Sequence, residues 1–229
     1  MTETELADIP ASFPAAAGTY VLPGPVGRLE LAVDLPEPDC ARAGVAVVCH
    51  PHPQQGGTMH NKVVTMLERA LRESGLATVR FNFRGVGASE GVFDDARGEA
   101  ADLEAVAVWA RSACPGDALW LAGFSFGSFV ALSRAAELGA AALITVAPPV
   151  GRRSFEAIQT PACPWLLVQG EEDEVVDAQA VFDWAAALEP MPTVVRVPDT
   201  GHFFHRRLMD LRGAVKNGVR NWLPPERGA

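Results

Sequence analysis

The pattern G-x-S-x-G occurs twice in this chain, as GASEG (Gly87–Gly91) and as GFSFG (Gly123–Gly127). Flanking glycines let a backbone close tightly around a serine, so either string could present a nucleophilic hydroxyl. Context separates them. ALWLAGFSFGSFVALSRAAEL runs an apolar strand into the motif and a helix out of it, the form a strained strand-to-helix turn requires. GASEG follows the turn-like RGV and leads into the polar VFDDARGE, which reads as a loop. Ser125 is therefore the expected nucleophile. The amide of Phe126, at the start of the following helix, would face a developing oxyanion and gain from the helix dipole.

A serine hydroxyl needs a neighbouring base, and histidine suits that task at neutral pH. There are five: His50, His52, His60, His202 and His205. The strand, G-x-S-x-G and helix together resemble the α/β-hydrolase nucleophile turn, and that resemblance implies the chain order serine, acid, histidine, which selects the last two. His202 follows Gly201 in the loop after the last apolar run, whereas His205 falls in an arginine-rich stretch read as exposed helix. His202 is the expected base. The carboxylate that orients it should follow WLLVQG, where GEEDEVV offers Glu171, Glu172, Asp173 and Glu174, with Asp177 just beyond. A solvated acidic helix start is the alternative role for each of these.

A second oxyanion donor is expected from CHPHPQQGGTMHNK. Pro51 and Pro53 have no N–H, so the amide of His52 between them is the natural donor, with Gln54 as the alternative. The H-x-H spacing of His50 and His52 invites a metal, but PQQGG supplies no further ligand and none is expected. GVGASEG has the wrong spacing for a dinucleotide fingerprint and no G-K-[ST] loop exists, so no cofactor is expected either.

These residues must be held by something, and the apolar pattern says what. GRLELAVDL alternates as a half-buried strand. VAVV (45–48), ATVRFNF (77–83), ALWLAG (118–123), ALITVA (142–147), WLLVQG (165–170) and TVVRV (193–197) are dense apolar runs of strand length. Between them, 61–74, 96–113, 126–138, 175–188 and 203–222 carry helical stripes. Alternation of this kind predicts a mostly parallel sheet of about seven to eight strands with helices on both faces. Functional residues then belong at the carboxyl ends of the strands, where the candidates above lie. Residues 1–18, rich in Ala, Pro and acid, read as a loosely held arm, and 19–229 as one domain.

The chain has 229 residues, of which 48% are hydrophobic and 21% charged, as a globular domain requires. A net charge of -9, from 28 acidic against 19 basic residues, argues against a nucleic-acid partner. The basic cluster Arg206, Arg207, Arg212, Lys216 and Arg220 reads as a solvated helix face. Cys40, Cys49, Cys114 and Cys163 are scattered and read as reduced thiols. An acidic N-terminus without an apolar core, and no run long enough to span a bilayer, predict a cytoplasmic protein without a membrane partner.

Together, HPHPQQGGTMHNKVV, RFNFRGVGASEGVFD, GFSFGSFVA, ITVAPPV, GEEDEVV and PDTGHFFH resemble the α/β-hydrolase superfamily, in particular a compact bacterial group of serine esterases related to dienelactone hydrolases. The resemblance spans about residues 45–205. It implies the α/β-hydrolase fold, Ser125, Asp173 and His202 as triad, and Arg84-Gly85-Val86-Gly87 as a structural loop. Dienelactone hydrolases use a cysteine nucleophile, and the serine here departs from them. The segment from Ala147 to Trp165 is too short for the helical lid that many relatives insert, so an open site is expected. Such a site suits a carboxylesterase or thioesterase acting on small, accessible esters. The rival readings are a non-catalytic binding module and a peptidase or C–C bond hydrolase, the latter needing a gating domain. Phe124, Phe126, Phe203 and Phe204 flank the site residues, some to line a pocket and others to pack. A monomer or homodimer is expected.

Overall fold

Strand β4 (Gly44–Cys49) is buried at every residue, and so are β7 (Ala142–Val146) and β8 (Trp165–Gly170). Their near-continuous apolar sequence is what a strand needs when helices cover both its faces. The computed structural model describes residues 6–155 and 158–227. With β1 (Ala7–Asp8), β2 (Gly18–Gly24), β3 (Gly27–Asp34), β5 (Ala77–Phe81), β6 (Ala118–Phe124) and β9 (Thr193–Val197), these strands form one nine-stranded sheet. Its order is β1-β2-β3-β5-β4-β6-β7-β8-β9. β2 and β3 form an antiparallel hairpin, β3 meets β5 antiparallel, and all pairings from β5 to β9 are parallel.

Alternation along the strands divides the core. Val45, Val47, Leu119, Leu121 and Leu143 face α2 (Arg97–Ala113) and α3 (Phe126–Ala135). Leu167 on the same side meets α4 (Ala178–Ala186). Ala46, Val48, Trp120, Ala122, Ile144 and Val168 face α1 (Lys62–Arg72) and α5 (Leu208–Gly218). Local chemistry fixes where the helices start. Asn61 caps α1 by accepting from the Val63 amide, and Asp177 caps α4 by accepting from Gln179 and Ala180.

The sheet contains β1 and β2 in addition to the seven strands read from the sequence. β2 reads GTYVLPG, whose Pro and Gly hide it, and β1 is two residues that pair in parallel with β2. Of the N-terminal segment, residues 1–5 lie outside the described residues. Beyond them, Phe13 stacks on Trp109 at 5.6 Å, and Trp109 Nε1 donates to the Pro10 carbonyl. The last helix begins at Leu208 rather than at 203, because Phe204 and Arg206 take left-handed backbone angles (φ 52° and 61°) that break a helix. The basic face of that helix is not simply solvated. Arg207 pairs with Asp199 and Asp210, and Arg212 and Lys216 converge on Glu73 at the C-terminal end of α1. Burial works to raise the pKa of Glu73, but these hydrogen bonds and one from Arg69 overcome it and hold the carboxyl down at about 2.

Candidate active site

Ser125 stands between β6 and α3 with φ 51° and ψ −119°, a conformation that side-chain-bearing residues rarely adopt. The surroundings hold it there. Its amide donates to Val146 O at 2.8 Å, and its carbonyl accepts from the Ser128 hydroxyl at 2.6 Å. A Cβ on Gly123 would overlap the Gly127 carbonyl, and one on Gly127 would overlap the carbonyls of Cys49 and His50. Both glycines are therefore required by space. Phe126 is the first residue of α3, so its N–H lacks an intrahelical acceptor and stands beside the serine.

The carboxyl ends of β8 and β9 bring two further groups to Ser125. His202 Nε2 lies 3.1 Å from Ser125 Oγ, and His202 Nδ1 lies 2.8 Å from Asp173 Oδ2. The other oxygen of Asp173 accepts from the amides of Val175 and Val176 at 2.8 and 2.7 Å, and Gln169 Nε2 donates to Oδ2 at 2.9 Å. Burial alone would raise the Asp173 pKa. Hydrogen bonds from His202, the Val176 amide and Gln169 overcome that, so the carboxyl sits below its ordinary value. An ionised Asp173 only accepts, so Nδ1 carries the imidazole proton and Nε2 presents its lone pair to the serine hydroxyl.

The competing acids have other work. Glu174 Oε2 accepts from the His202 amide at 3.0 Å, Asp177 caps α4, and Glu171 and Glu172 are exposed. His205 is exposed in the turn before α5. Ser89 is buried, and its Oγ donates to Asn82 O at 2.6 Å while accepting from the Glu30 amide at 2.9 Å. That serine staples a loop.

The loop after β4 carries the remaining candidates. His50 is fully buried; its Nε2 accepts from the Phe83 amide at 3.0 Å, so Nδ1 bears the proton and donates to Pro51 O at 2.6 Å. Burial drives its pKa down to about 4 despite the latter bond. With both nitrogens used, His50 has none to offer a metal, and the described residues contain no group of three or more metal-ligating side chains. His52 begins a short 3-10 turn (Pro53–Gln55), and its Nδ1 accepts from the Gln54 amide at 3.2 Å. The Gln54 N–H, the alternative second donor, is thus occupied. Burial, and then the Arg153 guanidinium, lower the His52 pKa against the opposing pull of Asp95 and Glu99. Arg84, in the loop after β5, forms a buried ion pair with Asp102 of α2 at 2.7 Å, which anchors that loop.

Two contributors were not read from the sequence. Gln169 behind Asp173 left a signal, a lone amide in the otherwise apolar WLLVQG. Arg153 left none, since its role depends on which loop it meets, and Glu174, read as a rival for the orienting acid, instead accepts from the His202 amide. Arg153 lies in the connection from β7 to β8, which contains no helix among the described residues, so nothing there covers Ser125 as a lid domain.

Residues 46–216 match the family model of the alpha/beta hydrolase domain, and the chain belongs to the α/β-hydrolase family. It is 58% identical to XC6422 of Xanthomonas campestris, described as a serine hydrolase without lid. That structure superposes with a TM-score of 0.90 over 93% of this chain and 98% of that one. An alpha-beta serine hydrolase homologue from Coxiella burnetii is 42% identical, with a TM-score of 0.87 over 91% of this chain and all 100% of the other. An uncharacterized protein of Rickettsia prowazekii, RP471, is 30% identical, with 85% of each chain covered. The chain is thus a hydrolase of the lid-free kind. Among the described residues, no helix is long and apolar enough to cross a membrane.

Proposed function

We propose that the chain is a serine hydrolase that cleaves small, accessible carboxylic esters or thioesters by two-step acyl transfer. The observation that carries this reading is the continuous chain from Ser125 Oγ to His202 Nε2 and from His202 Nδ1 to Asp173 Oδ2, at 3.1 and 2.8 Å. Ser125 Oγ attacks the substrate carbonyl carbon as its proton passes to His202 Nε2, and Asp173 stabilises the resulting imidazolium. The carbonyl oxygen, now negative, accepts from the amides of Phe126 and His52. Collapse expels the alcohol or thiol, which takes the proton from His202. Water, deprotonated by the same imidazole, then releases the acid and restores the serine. No cofactor enters these steps, and the partner is the small-molecule substrate alone.

The lid-free connection from β7 to β8 favours substrates that reach the serine without a gating motion. Four free cysteines, two of them buried, fit a reducing compartment such as the cytoplasm. The test is hydrolysis of p-nitrophenyl esters and acyl thioesters of graded acyl length, with Ser125→Ala as control. Turnover of the short members by the wild type and not by the variant is expected. An equal rate in both proteins, or none in either, would contradict the proposal.

A further inference from the structure

Two sets of aromatic rings gather around the neighbours of Ser125, His202 and Phe126. On one side His202 packs against Phe124 and Phe203, with ring centroids 5.1 Å away in each case. On the other, the Phe126 ring meets His52 at 5.1 Å, Phe83 at 5.8 Å and Phe93 at 5.8 Å. The two sides differ chemically. A leaving group must lie beside His202 to receive its proton, which leaves the His52 side, behind which the buried Phe126 ring packs, for the acyl part of a bound ester.

A cation lies on the His52 side, close enough that, after burial, its charge helps to lower the His52 pKa. The Arg153 guanidinium carbon lies 4.7 Å from the centroid of the Phe126 ring and 5.3 Å from that of Phe129. Its side chain is only 18% exposed, and its Nη2 meets Asp95 Oδ1 at 2.8 Å. Asp95 is 75% exposed, so this pair is a solvent-screened contact and a weak use of a largely desolvated cation. Asp95 and Ala96 both hold left-handed backbone angles (φ 48° and 75°), strain of the kind found beside binding sites. A turn through Gly151 (φ 77°), with the Arg153 amide donating to Pro149 O, directs the arginine back toward Phe126.

We propose that Arg153 reads a carboxylate on the acyl part of the substrate, so that the preferred substrates are monoesters or monothioesters of short dicarboxylic acids. This inference rests on Ser125 being the nucleophile of the proposed acyl transfer. The substrate carboxylate, entering without its water, takes the planar guanidinium in two parallel hydrogen bonds and displaces Asp95 toward solvent. Arg153 is a specificity residue and takes no part in bond making.

The experiment compares monomethyl succinate, glutarate and adipate with methyl butyrate, valerate and hexanoate, following acid release at constant pH. The quantity read is the ratio of kcat/KM for the charged ester to that for its neutral counterpart. The wild type is expected to favour the charged ester at one of these lengths. Arg153→Met, which keeps an apolar stem over Phe126, is expected to lower the ratio at least about tenfold through KM. Arg153→Lys should restore part of it, and Asp95→Asn should raise it above the wild type. The same ratio in the wild type and Arg153→Met would overturn the inference. If neutral esters are cleaved and Ser125 reacts with a fluorophosphonate while that ratio stays fixed, this inference alone fails. If no ester is cleaved and the serine does not react, the underlying hydrolase reading fails and takes this one with it.

Discussion

GASEG and GFSFG share a pattern and nothing else. In the first, Gly87 and Gly91 take positive φ angles (56° and 91°) and Ser89 turns its hydroxyl inward to tie Asn82 to Glu30. In the second, the glycines have ordinary angles and are needed for room, while Ser125 itself takes the positive φ. The loop spends its glycines on bending. The elbow uses them to bring α3 against the carbonyls of Cys49 and His50, which points the serine outward at the end of a central strand. Whether a serine in such a string can be a nucleophile is thus decided by where the backbone strain resides and by what the hydroxyl already bonds.

The sharpest separation of the two serines is kinetic. Ser125→Ala is expected to lower kcat for a short ester by roughly 10⁴-fold or more, measured after exclusion of trace wild type. Asp173→Asn comes next. It leaves an amide that can face His202 with its N–H₂, favouring the wrong tautomer, and a loss of about 10³- to 10⁴-fold in kcat is expected. A loss of less than about tenfold would show that Ser125 does not depend on an oriented imidazole.

His50 links the two motifs physically. Its ring accepts from the Phe83 amide in the strand end that leads to Ser89, and its carbonyl abuts Gly127 of the elbow. Its pKa falls from 6.5 to about 4 on folding, so between those values only the unfolded chain binds the proton. Stability is therefore fully present above about pH 6.5 and is lost as the pH falls toward 4, by an amount on the order of 3 kcal/mol. Urea midpoints across that range should show the slope, flattened in His50→Gln. The smallest effect is expected at Ser89→Ala. Removing the hydroxyl strands the Glu30 amide and the Asn82 carbonyl, for a loss of about 1–3 kcal/mol in stability with kcat within about threefold of the wild type. A kinetic loss at Ser89 that matched Ser125 would erase the contrast.

Much of this arrangement was legible from the sequence because it is written locally. WLLVQG and TVVRV mark β8 and β9 to the residue, and the stripe from 61 marks α1, whereas α4 begins at Ala178 rather than at 175. Ser125 and His202 stood out as candidates because each follows an apolar run at a glycine, and the fold brings them within 3.1 Å of each other. The choice among the acids was less so, since GEEDEVV offers neighbours of one chemistry. Only the fold shows that Asp173 turns inward to four donors while Glu174 takes the His202 amide. The left-handed turns at Phe204 and Arg206 carry no glycine to announce them, so the helical stripe read through 203–207 was misleading. Arg153 was invisible for a similar reason: its value comes from Phe126, distant in sequence and adjacent in space.

One measurement bears most directly on the contrast between the two serines. The wild type, Ser125→Ala and Ser89→Ala are treated with a fluorophosphonate, and the modified peptide is mapped by mass spectrometry. Phosphonylation at Ser125 in the wild type and Ser89→Ala, with none in Ser125→Ala, is the expected result. Labelling at Ser89, or no labelling of the folded wild type, would contradict the assignment of Ser125 as an activated nucleophile.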